Sequence, residues 1–187
     1  MKSKNLLVIF IALVAGAYIG FVVFSLIMPT SNPPAQAPGS SEPAIPAAMQ
    51  QRIQELETQA QTDVNNVLLF TELGNLYFDT GQYQKAIKAY NRSLELNPQN
   101  PNVWTDLGVM YRRTGQFQKA LEAFNKALNI DPKHQTTLFN KGVVLFFDLN
   151  QKEEALKSWQ NLVKINPNYK TPSGDLLKDI IANLKAN

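Results

Sequence analysis

Hydrophobic and polar positions divide this chain into three stretches with different periods. From Asn5 to Met28 there is no period: NLLVIFIALVAGAYIGFVVFSLIM holds no charged residue across 24 positions. As a helix it spans about 36 Å, enough for a hydrocarbon core of roughly 30 Å. Residues 29–46 then collect six prolines among serines and alanines. Such a composition buries too little apolar surface to fold and reads as a partly stiff spacer. From residue 47 onward, apolar residues recur three and four apart, the spacing of one buried helix face.

Met49, Ile53, Leu56 and Ala60 form the first such face and predict a flanking helix over 47–61. Beyond it the pattern itself repeats. Phe70, Leu73, Gly74, Tyr77, Gly81, Ala86, Tyr90 and Pro98 are matched 34 positions later by Trp104, Leu107, Gly108, Tyr111, Gly115, Ala120, Phe124 and Pro132. This defines units at 67–100 and 101–134. A third unit, 135–169, starts on schedule with Leu138 and Gly142, but Ala155, Trp159, Leu162 and Pro167 each arrive one place late. One residue has been added between Gly142 and Asn150, and it is expected to lengthen the first helix or change its turn. Lys141 stands where the other units have leucine, and Asn150 replaces the turn glycine. A last helix is predicted over 173–185, capped by Ser173. Its apolar stripe of Leu176, Leu177, Ile180, Ile181 and Leu184 covers the open end of the stack.

The small residues let two helices approach closely, the turn glycines accept positive φ, and the prolines stop the second helix of each unit. The recurring aromatics, the two tryptophans included, are read as core. In this arrangement the pattern is identified as the tetratricopeptide repeat. The resemblance implies an all-α solenoid of three helical hairpins, to which the apolar patterns at either end add flanking capping helices and the run at 5–28 an N-terminal transmembrane helix. It further implies that the first helix of each hairpin lines a concave, peptide-binding groove. Carried over by position, the groove residues are Thr71, Asn75, Phe78 and Asp79, then Thr105, Val109, Arg112 and Arg113. The third unit adds Thr136, Phe139, Asn140 and Val143, with Phe146 or Phe147. Some family members clamp a carboxy-terminal acid with lysines and asparagines. Asn75 and Asn140 suit that clamp, but Thr71, Thr136 and Asp106 replace other members of it, so a chaperone-tail clamp is not expected.

A narrower resemblance runs from Ile53 to the final helix. This part is similar to the exported tetratricopeptide domains of bacterial cytochrome c maturation proteins, which would make the ligand an apocytochrome. Because repeats of this family share one consensus regardless of ligand, the reading stays beside two others. One is a general protein- or peptide-binding scaffold. The other is a self-assembling structural protein, to which the Gly16/Gly20 pair would contribute by letting two membrane helices approach.

Composition narrows the chemistry. The chain has no cysteine and one histidine, His134, which removes disulfides, thiol nucleophiles and Cys/His metal sites. No phosphate loop or nucleophile–base pair is evident, so no enzyme activity, catalytic residue, metal or cofactor is expected. His134 falls in an inter-repeat turn and is read as exposed, with a structural or incidental role. Lys2 and Lys4 precede the apolar run, and residues 29–50 hold no lysine or arginine. This bias puts residues 1–4 in the cytoplasm and makes 5–28 a retained signal-anchor. The soluble part would then be periplasmic on a bacterial inner membrane. Net charge is +3, with four basic against six acidic residues over 47–100 and twelve against eight over 101–187. That mild polarity does not reach the concentrated basic surface nucleic acid requires. Arg112-Arg113 reads equally as a carboxylate-binding pair or as two solvated side chains. The partner is a protein or peptide of unknown identity, or a second copy of the chain.

Overall fold

The structure, a computed structural model, describes residues 45–186. The membrane helix expected over 5–28 and nearly all of the spacer lie outside the described residues. Among the described residues no helix is long and apolar enough to cross a membrane. These residues form eight helices: α1 (Ala47–Thr62), α2 (Val67–Asp79), α3 (Tyr83–Leu96), α4 (Pro101–Arg113), α5 (Phe117–Ile130), α6 (Gln135–Val143), α7 (Lys152–Ile165) and α8 (Leu177–Ala186). The pairs α2–α3, α4–α5 and α6–α7 are antiparallel hairpins stacked in chain order.

The helix ends follow from local chemistry. Asn66 and Asn100 accept backbone N–H groups at the starts of α2 and α4, and Pro101 occupies the first helical position of α4, where no N–H is needed. The hairpins close through positive-φ residues, Gly81 at 72° and Gly115 at 74°, with Asn150 at 54° in the third. Asparagine is the side chain that tolerates this region best.

The extra residue of the third unit can be located. Gln82 donates its N–H to the Tyr77 carbonyl, Gln116 to Tyr111, and Gln151 to Leu145. These are the same positions in each hairpin, yet the bond reaches back one residue further in the third. Between those ends, Val144–Asp148 is a π-helical turn continuing α6. The added residue is absorbed by widening the helix, a device frequent at functional sites.

Packing explains the pattern of small residues. A methyl group added at Gly74, Gly108 or Gly142 would fall inside the ring of Tyr90, Phe124 or Trp159 of the facing helix. Tyr90 and Phe124 are fully buried. At one end, α1 lays Ile53 and Leu56 against α2. Arg52 pairs with Glu72 at 2.7 Å, and the Tyr77 hydroxyl donates to Glu57. At the other end the helix predicted from Ser173 begins at Leu177. Residues 169–176 instead make a tight turn in which Thr171 N–H bonds to Asp175 O and Leu177 N–H to Tyr169 O. Ser173 donates to the Asp175 carboxylate and caps no helix. Leu177 and Ile181 still bury against Trp159 and Leu162, as a capping helix must.

Candidate functional site on the first-helix face

The first helices of the second and third hairpins meet directly. Thr105 and Thr137 share a hydrogen bond between α4 and α6. His134 extends this seam: its Nδ1 lies 2.6 Å from Thr137 Oγ1 and its Nε2 lies 2.8 Å from Asn102 Oδ1. Of the expectation for His134, the exposure is corrected, since the residue is half-buried, while its role is structural: it ties two hairpins together.

The residues assigned to the groove fall into three groups. Asn75, Phe78, Asp79, Arg113 and Thr136 are exposed. Thr71, Val109, Phe139, Asn140 and Val143 are half-buried. Thr71 donates to Val67 O and contacts Ser93 Oγ, while Phe139 packs on Tyr169 with ring centroids 5.6 Å apart. Asn140 donates back to Thr136 O. Thr105 is 2% exposed and donates to Pro101 O, so it is removed from the groove. Its small size suits the close approach of α4 and α6, and that contact is what buries it. Arg112 is half-buried and occupied: its guanidinium pairs with Asp148, at the end of the π turn. Of the arginine pair, Arg113 alone is solvent-facing and has no ionic partner among the described residues.

The structure singles out three residues on this face, of which Asp148 alone is absent from the sequence-based expectations; it also decides between Phe146 and Phe147. Phe147, in the π turn, is 67% exposed although Phe146 beside it packs on Trp159. Asp148 is the partner of Arg112. Asp106 is the third. It occupies the position of Glu72 and Asn140 in the neighbouring hairpins, so its place on this face follows from the register; its burial does not. Burial pushes its carboxyl up to about 6, and it has no hydrogen-bond or ion-pair partner among the described residues. It lies close enough to Tyr90 that, after burial itself, its charge and that of Asp79 push the Tyr90 hydroxyl upward. That hydroxyl donates to Asn75 Oδ1 at 2.9 Å. The face thus carries an unpaired half-buried acid, an exposed amide, a free guanidinium and two exposed aromatic rings. These groups can hold an extended chain by hydrogen bonds and apolar contact. Among the described residues, no group of three or more acidic or histidine side chains is placed to hold a metal ion.

Comparison with known proteins agrees with this architecture. Residues 63–133 and 136–169 each match the tetratricopeptide repeat family, together more than half of the chain. No curated protein matches in sequence. Among solved structures, a crystal structure of MamA superposes with a TM-score of 0.63 at 20% identity, covering 65% of this chain and 70% of that one. A second MamA structure, from MSR-1, gives 0.60 at 25% identity over 65% and 69%. The first tetratricopeptide domain of Spaghetti (RPAP3), bound to the HSP90 peptide SRMEEVD, gives 0.57 at 25% identity over 64% and 90%.

Proposed function

Since the chain belongs to the tetratricopeptide repeat family, we propose that it is a non-enzymatic binding module that holds a protein or peptide segment on its first-helix face. The observation that carries this reading is Asp106. Its oxygens still reach solvent, but partial burial disfavours their charged form, which makes the ionised carboxylate costly to the folded protein. A ligand donor placed over it would recover that cost. Asn75, Phe78, Arg113 and Phe147 supply the surrounding polar and apolar contacts. The RPAP3 domain, solved with a bound peptide, supports the class of function. It does not supply the ligand. Asp79 and Asp106 would repel an acidic tail and favour a segment bringing an amide or a cation to that end of the face.

The same proposal places the module at a membrane, tethered through residues 5–28 and held off by the spacer that follows. Support comes from the uncharged apolar run and the two lysines before it. The soluble part would then lie outside the cytoplasm of a bacterium.

Photoreactive residues at Asn75, Val109 and Asn140 in the full chain, crosslinked in native membranes, test the reading. One recurrent partner recovered from all three positions is the expected result. Only scattered abundant proteins, or no adducts, would overturn it.

A further inference from the structure

A second site is visible away from the first-helix face. Between α1, α2 and α3 lies a cleft of about 270 Å³ with a floor of Ala60, Phe70, Leu73 and Ala89. Its rim carries Lys85, Lys88 and Arg92 against one acid, Glu57. That acid is already engaged, accepting the Tyr77 hydroxyl and lying 3.5 Å from Lys85. Lys85 Nζ sits 5.2 Å from the Tyr77 ring centroid, and the Arg92 guanidinium 5.8 Å from that of Phe70. Arg92 also pairs with the exposed Glu95 and donates to Val64 O. Lys88 has no ionic partner among the described residues.

The other hairpins show what is particular to this one. At the register of Lys85, Lys88 and Arg92 the second hairpin has Lys119, Glu122 and Lys126, and the third has Glu154, Lys157 and Asn161. Only the first keeps all three positions basic. The second hairpin also fills the place of Phe70 with Trp104, whose larger ring lies beneath Lys126 at 4.3 Å. The protein itself thus shows an aromatic group seated under a cation at this register. In the first hairpin the ring is smaller, the cleft is open, and its rim keeps an excess of positive charge: Lys85 and Arg92 meet acids at the surface, and Lys88 meets none among the described residues.

From this charge complementarity we propose that the cleft docks an acidic segment of a partner protein, seating an apolar side chain on Phe70 and Leu73 with flanking carboxylates on Lys88 and Arg92. The site is independent of the first-helix reading and can fail without it. Fluorescence anisotropy of a labelled Glu-Glu-Phe-Glu-Glu peptide, titrated with the full chain in nonionic detergent, tests it. Lys88→Glu, which copies the second hairpin, is expected to leave the melting curve in place and weaken binding at least tenfold. Phe70→Trp, which fills the cleft, and replacement of the peptide phenylalanine by alanine should each weaken it as well. Arg113→Glu, on the other face, should leave it unchanged. Equal affinity of Lys88→Glu and the parent would overturn the proposal, as would loss of binding in Arg113→Glu alone. Two further results would overturn it by naming another occupant. One is Lys88-dependent binding to phosphatidylserine vesicles without peptide binding. The other is a Lys88-dependent dimer in sedimentation without peptide binding.

Discussion

Asp106 shows most clearly how one side chain departs from what the fold alone requires. Its carboxyl is raised because burial strips water from the charged form, with no ion-pair partner among the described residues to compensate. The folded state therefore holds a proton more tightly than the unfolded chain. Stability falls as pH rises from about 4 to about 6, and the loss is complete above that window. Asp106→Asn should accordingly raise stability at pH 7, by about 1–2 kcal/mol once partial solvation is allowed for. Thermal melts should show a gain of about 2–8 °C at pH 7 and almost none at pH 4. An equal gain at both pH values, or no gain at pH 7, would contradict this reading. Side chains whose role depends on neighbours far along the chain were the ones sequence could not resolve. The repeat places Thr105, Arg112 and Asp106 on one helix face. It does not reveal that Thr137 covers the first, that Asp148 reaches the second, or that no partner among the described residues reaches the third. The exposure of Asn75, Phe78 and Arg113 was accessible from sequence because it follows from helical period alone.

At the level of elements, the hairpins are legible because each carries its own punctuation: a small residue at the crossing, a turn residue with positive φ, and a proline after the second helix. The π turn at Val144–Asp148 could be bracketed by the late arrival of Ala155 and Trp159. Its form could not be read, since a longer loop would give the same shift in sequence. The start of α8 was misplaced for a local reason: Ser173 and Asp175 can cap a helix or bond to each other across a turn, and here they bond to each other. His134 marks the other limit, since a lone histidine in a turn gives no hint that it bridges α4 and α6. Replacing it with alanine removes its contacts with Thr137 and Asn102 and should cost about 1–2 kcal/mol. Stacked hairpins contact mainly their neighbours, so the loss should be local. Hydrogen exchange should quicken in α6 and α7 and stay unchanged in α2 and α3. Uniform quickening, or none, would show that His134 does not hold this seam.

Across the described part of the molecule, two surfaces with different chemistry emerge from one repeated unit. The first-helix face mixes acid, amide, cation and aromatic groups, and the α1–α3 cleft is apolar with a basic rim. Departures from the consensus, rather than the consensus itself, distinguish them: Asp106 and the π turn on the first, and three basic residues without an intervening acid on the second. The fold was therefore largely written in the periodic positions, while the function resides in the non-periodic ones, where tertiary contact decides exposure and charge state. The central claim, capture of a partner by the first-helix face, is tested most directly by co-purification from native membranes with the full chain carrying Phe78→Glu and Arg113→Glu. Both side chains are exposed, so the melting temperature should stay within a few degrees of the parent. The partner crosslinked at Asn75, Val109 and Asn140 is expected to be lost from the double variant. Its full retention would show that the first-helix face does not hold it.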